Sequence, residues 1–231
     1  MKNRSFIFTA VVASLLCVSC AKPQTTLSEN ERPFNPPIMG WSSWNAFLVD
    51  ISEDIIKHQA DLMVEKGLKD AGYQYINVDD GYFGKRDENG VMQANEKRFP
   101  NGMKPVADHI HSLGMKAGLY TDAGTRTCGS LWNKDSIGIG AGIYGHEPQD
   151  AQLYFGDWGF DFIKIDYCGG EVLGLDEKER YTSIRNSIDK VNKNVSINIC
   201  RWAYPGTWAK DAATSWRISG DINAHWNSLK Y

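Results

Sequence analysis

The sequence predicts an α/β fold, a (β/α)8 TIM barrel truncated after about its sixth strand, and three observations lead there. From Pro36 onward, six short apolar runs alternate with five helix-like segments, the pattern of a parallel sheet with helical crossovers. Each run starts apolar and ends in reactive groups: Trp44, Asp79 with Asp80, Tyr120 with Asp122, Asp166, Cys200 with Arg201, and Asp221. An open doubly wound sheet gathers its ligand groups at one switch point, whereas a barrel recruits them from many strand ends around one mouth. The distribution favours the barrel. The sequence stops at Tyr231, just after the sixth run, while a closed barrel needs two further strand–helix units.

In chain order the predicted strands are "IMGWSSW", "YQYINVDD", "MKAGLYTD", "DFIKIDYC", "VSINIC" and "WRISGD". The predicted helices are "SEDIIKHQADLMVEKGLKDAG", "GMKPVADHIHSLG", "EPQDAQLYFGDWG", "DEKERYTSIRNSIDKVN" and "PGTWAKDAA". The first helix carries Ile55, Ile56, Leu62, Met63 and Leu68 at helical spacing, with Ser52 as N-cap. Gly72, Gly114 and Gly159 each fall between a helix and a strand, where a left-handed C-cap is wanted.

The 231 residues, 42% hydrophobic, suffice for one sizeable core. A net charge of −3 without a basic stripe argues against a nucleic-acid partner. Aromatic residues reach 12%, with eight tryptophans; core packing accounts for many, but flat apolar rings also bind sugars. Residues 1–20, "MKNRSFIFTAVVASLLCVSC", have a basic start, a short apolar run and small residues, the signature of an export signal. The segment resembles a lipoprotein signal, with Cys20 as the acylated residue; ordinary cleavage nearby is the alternative, because Cys17 stands where such signals usually carry Leu. Either way the chain leaves the cytoplasm for the periplasm or cell surface, and the only membrane attachment expected is the lipid at Cys20. Residues 21–33 are polar and read as a tether, which leaves 34–231 as the partial barrel. Cys128, Cys168 and Cys200 remain, so one disulfide and one spare thiol are expected in an exported chain.

Strand periodicity puts Lys164, Asp166 and Cys168 on one face, and Arg217, Ser219 and Asp221 on another. Each set joins a cation to a carboxylate near a strand's C-terminal end. Buried salt bridges are the plain alternative. Two carboxylates converging on one pocket is the sharper reading, because glycoside hydrolysis needs such a pair. The nucleophile must stay ionised, aided by a nearby ammonium; its partner must sit where the environment lets it hold a proton.

The stretches "GWSSWN", "YINVDDGY", "RFPNGMKPVADHIHSLGMKAGLYTD", "GTRTC", "FIKIDYC" and "WRISGDI" resemble, in order and spacing, the motifs of glycoside hydrolase family 27. That family comprises α-galactosidases (melibiases) and α-N-acetylgalactosaminidases. The resemblance implies a retaining exo-glycosidase acting on terminal α-galactosides, without metal or organic cofactor. It implies Asp166 as nucleophile and Asp221 as acid/base, flanked by Lys164 and Arg217 as sugar-binding cations. Asp79 and Asp80 would hold the 4- and 6-hydroxyls of galactose. Trp44 would be the platform under the sugar and Tyr120 a neighbouring wall, with Cys128 and Cys168 joined in a disulfide beside it. In one place the sequence departs from the family: α-galactosidases commonly read Cys-Glu-Trp where this chain has "CRW", with Arg201 in the slot that meets the sugar's 2-position. This keeps open an altered 2-position specificity, such as α-N-acetylgalactosaminidase, and the truncation keeps open a non-catalytic sugar-binding fragment. The stretch from Gly129 to His146 is also longer than usual for this loop.

Two further patterns carry little weight. "GAGIYG", Gly140 to Gly145, fits GxGxxG but lacks the preceding strand and following helix of a dinucleotide site. His109 and His111 lie two apart in a helix and face different ways, a poor metal pair.

Overall fold

The computed structural model describes residues 37–223 and 225–229; the proposed signal, tether and Cys20 lie outside them. Among the described residues, six parallel strands form one sheet. They are β1 (Gly40–Ser42), β2 (Tyr75–Asn77), β5 (Lys116–Asp122), β6 (Phe162–Asp166), β7 (Ser196–Cys200) and β8 (Ser215–Trp216), adjacent in that order. A two-stranded antiparallel ribbon, β3 (Phe83–Arg86) with β4 (Met92–Ala94), is inserted after β2. Parallel neighbours joined by helical crossovers in strict sequence order are the wall of a (β/α)8 barrel, present here over six strands.

The connecting helices follow from their sequences. Helix α1 (Trp44–Phe47) is one turn after β1. Helix α2 (Glu53–Glu65) begins where expected, with the Ile55 amide donating to the Ser52 hydroxyl at 3.3 Å, and buries Ile56, Ala60 and Met63. Helix α3 (Lys104–Ser112) buries Val106, Ala107 and Ile110. Its two histidines point to different partners, His109 to Asp61 and His111 to Asp161, each at 2.8 Å. After β5 come α4 (Cys128–Trp132) and α5 (Glu147–Ala151), the latter running into a π-helical stretch, Gln152–Asp157. Helix α6 (Cys168–Val172) caps β6, α7 (Glu177–Val191) crosses to β7, and α8 (Ala209–Ala212) leads to β8. Gly72, Gly114 and Gly159 all have positive φ, at 100°, 67° and 79°, as left-handed helix exits require.

The sheet's inner strands are buried on both faces, so β5, β6 and β7 read as almost continuous apolar runs. Close approach at β1 depends on Gly40, where a Cβ would lie 2.3 Å from the Tyr75 carbonyl oxygen.

Three expectations need correction. The outer strands are shorter than the apolar runs suggest: Trp44 opens α1 rather than ending β1, and β8 has two residues. Arg217, Ser219 and Asp221 therefore do not share a strand face; they follow β8 in irregular chain. Cys168 likewise lies beyond β6, as the first residue of α6. The ribbon β3–β4 was not expected, although its turn carries Asn89-Gly90, a hairpin dipeptide, with Gly90 at φ 79°.

Candidate active site

The ends of β2, β5, β6 and β7 converge on a cavity of about 310 Å³, at the small end of ligand pockets and suited to a sugar ring. Its lining includes Trp44, Asp79, Asp80, Tyr120, Cys128, Lys164, Asp166, Cys168 and Asp221 from the residues singled out in the sequence.

The inner part is a charge network. Lys164 donates to Asp79 Oδ2 at 3.1 Å and lies 3.8 Å from Asp166 Oδ2. Its ammonium also sits 5.2 Å from the Tyr120 ring centroid. Asp79 is further fixed by Ser42 Oγ, which donates to Oδ2 at 3.2 Å, while its own amide donates to Ser43 Oγ at 2.9 Å. Asp80 accepts from the Gly81 amide at 2.8 Å and, through its other oxygen, from the Gly129 amide at 2.8 Å. The loop carrying α4 is thereby hung on the end of β2. The Cys128–Cys168 disulfide forms and ties that loop to the start of α6. Asp122 works alongside it, accepting from the amides of Gly124 and Gly169 where the two backbones touch: a Cβ on Gly124 would be 2.1 Å from the Gly169 carbonyl carbon. Among the described residues, Asp122, Cys128 and Cys168 make the one grouping with metal-ligand proximity, but the two sulfurs are consumed by the disulfide, leaving a single carboxylate.

Burial dominates the protonation of this network. It pushes Asp80 and Asp122 each up to about 7, against the hydrogen bonds that oppose it. Asp166 is likewise raised by burial, with Lys164 as the largest opposing influence; the ammonium moderates the shift rather than reversing it, contrary to the sequence-based expectation. Lys164 itself is raised, because Asp166 and Asp79 outweigh its loss of water. The buried Cys200 thiol, register partner of Asp166 across β6–β7, is held well above its usual range by burial and the neighbouring carboxylate. One oxygen of Asp166, Oδ1, is buried without a hydrogen-bond partner.

The other side is looser. The Asp221 side chain is 71% exposed and is held by Arg217, whose Nη1 donates to Oδ1 at 2.6 Å. The enclosed surroundings expected for an acid/base are thus not formed by the described residues. Arg217 lies in a neighbouring cleft, with Trp41, Asn198 and Ile222, that shares Trp44, Asp79, Lys164 and Asp221 with the main cavity. Arg201 does not line the cavity: its guanidinium pairs with Glu177 and Glu171 and lies over the Tyr167 ring. Trp202 takes its place in the wall. Trp132, Asn133, Cys200 and Trp202 complete the lining and were not singled out as site residues. Trp202 follows the strand-end pair Cys200-Arg201, a position that pointed to the mouth; Trp132 sits inside a long loop with no pattern to mark it. The GxGxxG stretch is structural, its Gly140 and Gly142 carbonyls accepting from Arg86, which also pairs with Asp150.

A partial (β/α)8 barrel that brings Asp166 and Asp221, with Asp79 and Asp80, onto one sugar-sized cavity at its strand ends has the arrangement of the glycoside hydrolases. The family model described as alpha galactosidase A, or melibiase, matches residues 36–231, and the chain belongs to that family. An alpha-galactosidase A from Cellvibrio japonicus is 39% identical over 98% of this chain and 53% of its own length. An alpha-galactosidase from Cyamopsis tetragonoloba is 42% identical over 88% of this chain and 47% of its own. Solved alpha-galactosidases superpose well, from Saccharomyces cerevisiae (TM-score 0.72, 36% identity, 82% of this chain and 41% of that one) and Mortierella vinacea (TM-score 0.73, 34%, 85% and 48%). The chain spans about half the length of the curated relatives it matches.

Proposed function

We propose that the protein is a retaining exo-α-galactosidase working by double displacement, with Asp166 as nucleophile and Asp221 as acid/base. The observation that carries this reading is the shared cavity: Asp166, buried at the end of β6 beside Lys164, lines the same hollow as Asp221. Asp166 attacks the anomeric carbon while Asp221 gives its proton to the departing glycosidic oxygen. A covalent galactosyl–Asp166 ester results. Asp221, now a carboxylate, takes a proton from water, whose oxygen displaces Asp166 and releases galactose with its anomeric configuration retained. Such a route needs carboxyl groups about 5–5.5 Å apart. Asp79 and Asp80 accept hydrogen bonds from the sugar's 4- and 6-hydroxyls; an epimer leaves one of these buried acceptors unpaired, which discriminates strongly. Trp44 and Tyr120 pack on the ring. A solved yeast relative carries raffinose, an α-galactoside, in keeping with this substrate class.

The position of Arg201 favours a second reading at the 2-position. With its guanidinium engaged by Glu177, no carboxylate or guanidinium from that slot meets the sugar, so an α-N-acetylgalactosaminide is the alternative substrate. Aryl glycosides differing only at C2 separate the two. The catalytic assignment is tested with Asp166→Ala and Asp221→Ala in the full protein. Each is expected to lower kcat on an aryl α-galactoside by about 10⁴-fold or more; near-normal turnover by both overturns it.

We further propose that residues 1–20 direct export and that Cys20 carries a lipid, with residues 21–33 as tether. The disulfide supports an oxidising location. Cys20→Ser is expected to move the protein from the membrane fraction to the soluble one, and unchanged fractionation removes the anchor.

A further inference from the structure

The two serines of "GWSSWN" take no part in the chemistry proposed above, yet both hydroxyls are directed at Asp79. That residue lies two positions past the end of β2, where strand pairing gives out. Val78 still donates to the Gly118 carbonyl at 2.9 Å, but the Asp79 amide goes to a side chain instead, Ser43 Oγ at 2.9 Å. Ser43 is fully buried, and its own amide donates to the Asn77 carbonyl at 3.2 Å, so this hydroxyl is fixed relative to β2. Ser42, at the end of β1, takes the other level: its Oγ donates to Asp79 Oδ2 at 3.2 Å. Consecutive residues thus hold the backbone and the carboxylate of one aspartate.

The hydrogen bonds at that carboxylate show why the outer hold matters. An ionised carboxylate offers about four lone-pair sites, and all are in use. The Asp80 amide takes Oδ1 at 2.9 Å, Lys164 straddles Oδ1 and Oδ2 at 3.4 and 3.1 Å, and Ser42 takes Oδ2. A sugar hydroxyl entering the cavity displaces one of these contacts. The Asp80 amide is fixed in the backbone. Ser42 lines the neighbouring cleft and not the sugar cavity, so it approaches from the far side. The Lys164 contact to Oδ1 is the longest of the four, and its ammonium has a second carboxylate, Asp166, at 3.8 Å. That contact is the one to yield, and once it does Ser42 is the side chain that keeps the carboxylate from turning.

We propose that Ser42 is a positioning residue and, through Asp79, a determinant of specificity: it holds the carboxylate in the orientation that accepts one hydroxyl of the galactosyl unit, while Ser43 fixes the backbone beneath. A carboxylate free to turn accepts from a misplaced hydroxyl nearly as well as from the correct one, so discrimination depends on the support behind it. The inference rests on the galactosidase reading for the identity of the sugar, and its test keeps the two separate.

The test compares wild type, Ser42→Ala and Ser42→Thr in the full protein on an aryl α-galactoside and on its 4-deoxy and 6-deoxy analogues. Ser42 is exposed, so its truncation leaves no buried void. Ser42→Ala is expected to lower kcat/KM on the parent about fivefold, the size of one lost hydrogen bond. On at least one deoxy analogue, the one missing the partner of Asp79, the change is expected to stay below about twofold. Ser42→Thr keeps the hydroxyl on a side chain suited to a strand and is expected to restore most of the parent rate. General damage to the fold would cost all three substrates alike; an equal loss on all three, or no loss on the parent, overturns the clamp. Calorimetry with galactose and its 4-deoxy and 6-deoxy forms reads the same pattern without turnover. If wild type binds galactose without hydrolysing the galactoside and Ser42→Ala shows that pattern in binding, the hydrolase reading falls and the clamp stands. If wild type hydrolyses the parent and the pattern is absent, the clamp falls and the hydrolase reading stands. If wild type neither binds nor hydrolyses, both fall.

Discussion

The two halves of the candidate site are built differently. On the side of the proposed nucleophile, Asp79, Lys164 and Asp166 sit at the ends of central strands, interlocked and buried, with the disulfide and Asp122 bracing the loops above them. On the side of the proposed acid/base, Asp221 follows a two-residue strand, is mostly exposed, and relies on Arg217. Both halves pair a cation with a carboxylate. Only the first places that pair in a low-dielectric setting, where each partner depends on the other. Similar sequence patterns thus yield a preorganised anchor in one place and an adjustable arm in another.

That contrast can be broken by substitution. The largest loss is expected from removing the disulfide with Cys128→Ser and Cys168→Ser. The bridged residues are 40 apart, and loop closure of that size is worth about 4 kcal/mol, read as a lower urea midpoint under non-reducing conditions. Next is Lys164→Met, which leaves Asp79 and Asp166 buried without their cation. Lys164 is 23% exposed, so part of the charge is screened, and a loss on the order of 3 kcal/mol is expected. A loss below 1 kcal/mol would mean that the anchor is not preorganised by that ammonium.

The braces should also show in the pH dependence. Asp122 is raised by burial to about 7, so between about pH 4 and 7 the folded chain holds a proton that the unfolded chain has released. Its contribution is present in full at the acid end and is lost as pH rises through 7. Asp122→Asn keeps an acceptor for the Gly124 and Gly169 amides and is expected to flatten the decline by about 1 kcal/mol per pH unit; an identical pH profile argues that Asp122 does not titrate in this window. The smallest effect belongs to the arm: Arg217→Met is expected to change stability by less than about 1 kcal/mol, as exposed pairs do. A loss matching that of Lys164→Met would erase the distinction between the halves.

Much of the architecture could be read before the structure, and the failures are instructive. β5, β6 and β7 fell within a residue or two of the apolar runs, because strands buried on both faces advertise themselves as unbroken hydrophobic text. "WRISGD" misled for the opposite reason. Ile218 looks like a core residue, but it is 71% exposed, and Ile222 just beyond the run is 50% exposed; local pattern cannot tell an apolar side chain that packs from one that does not. The short helices α4 and α6 escaped notice because what holds them is remote: a disulfide, and amides donated to Asp80 and Asp122 from far along the chain.

The amino-acid order alone determined the alternation of strand and helix, the run of reactive residues at strand ends, and the side-by-side placement of Lys164 and Asp166, since period-two geometry is local. Only the tertiary structure decided which charged groups face one another. It turned Arg201 out to Glu177 and Trp202 in, left Asp221 in solvent, and set burial above the lysine's pull on Asp166. Desolvation and long-range pairing depend on what the rest of the chain brings alongside, and no local stretch of sequence contains that.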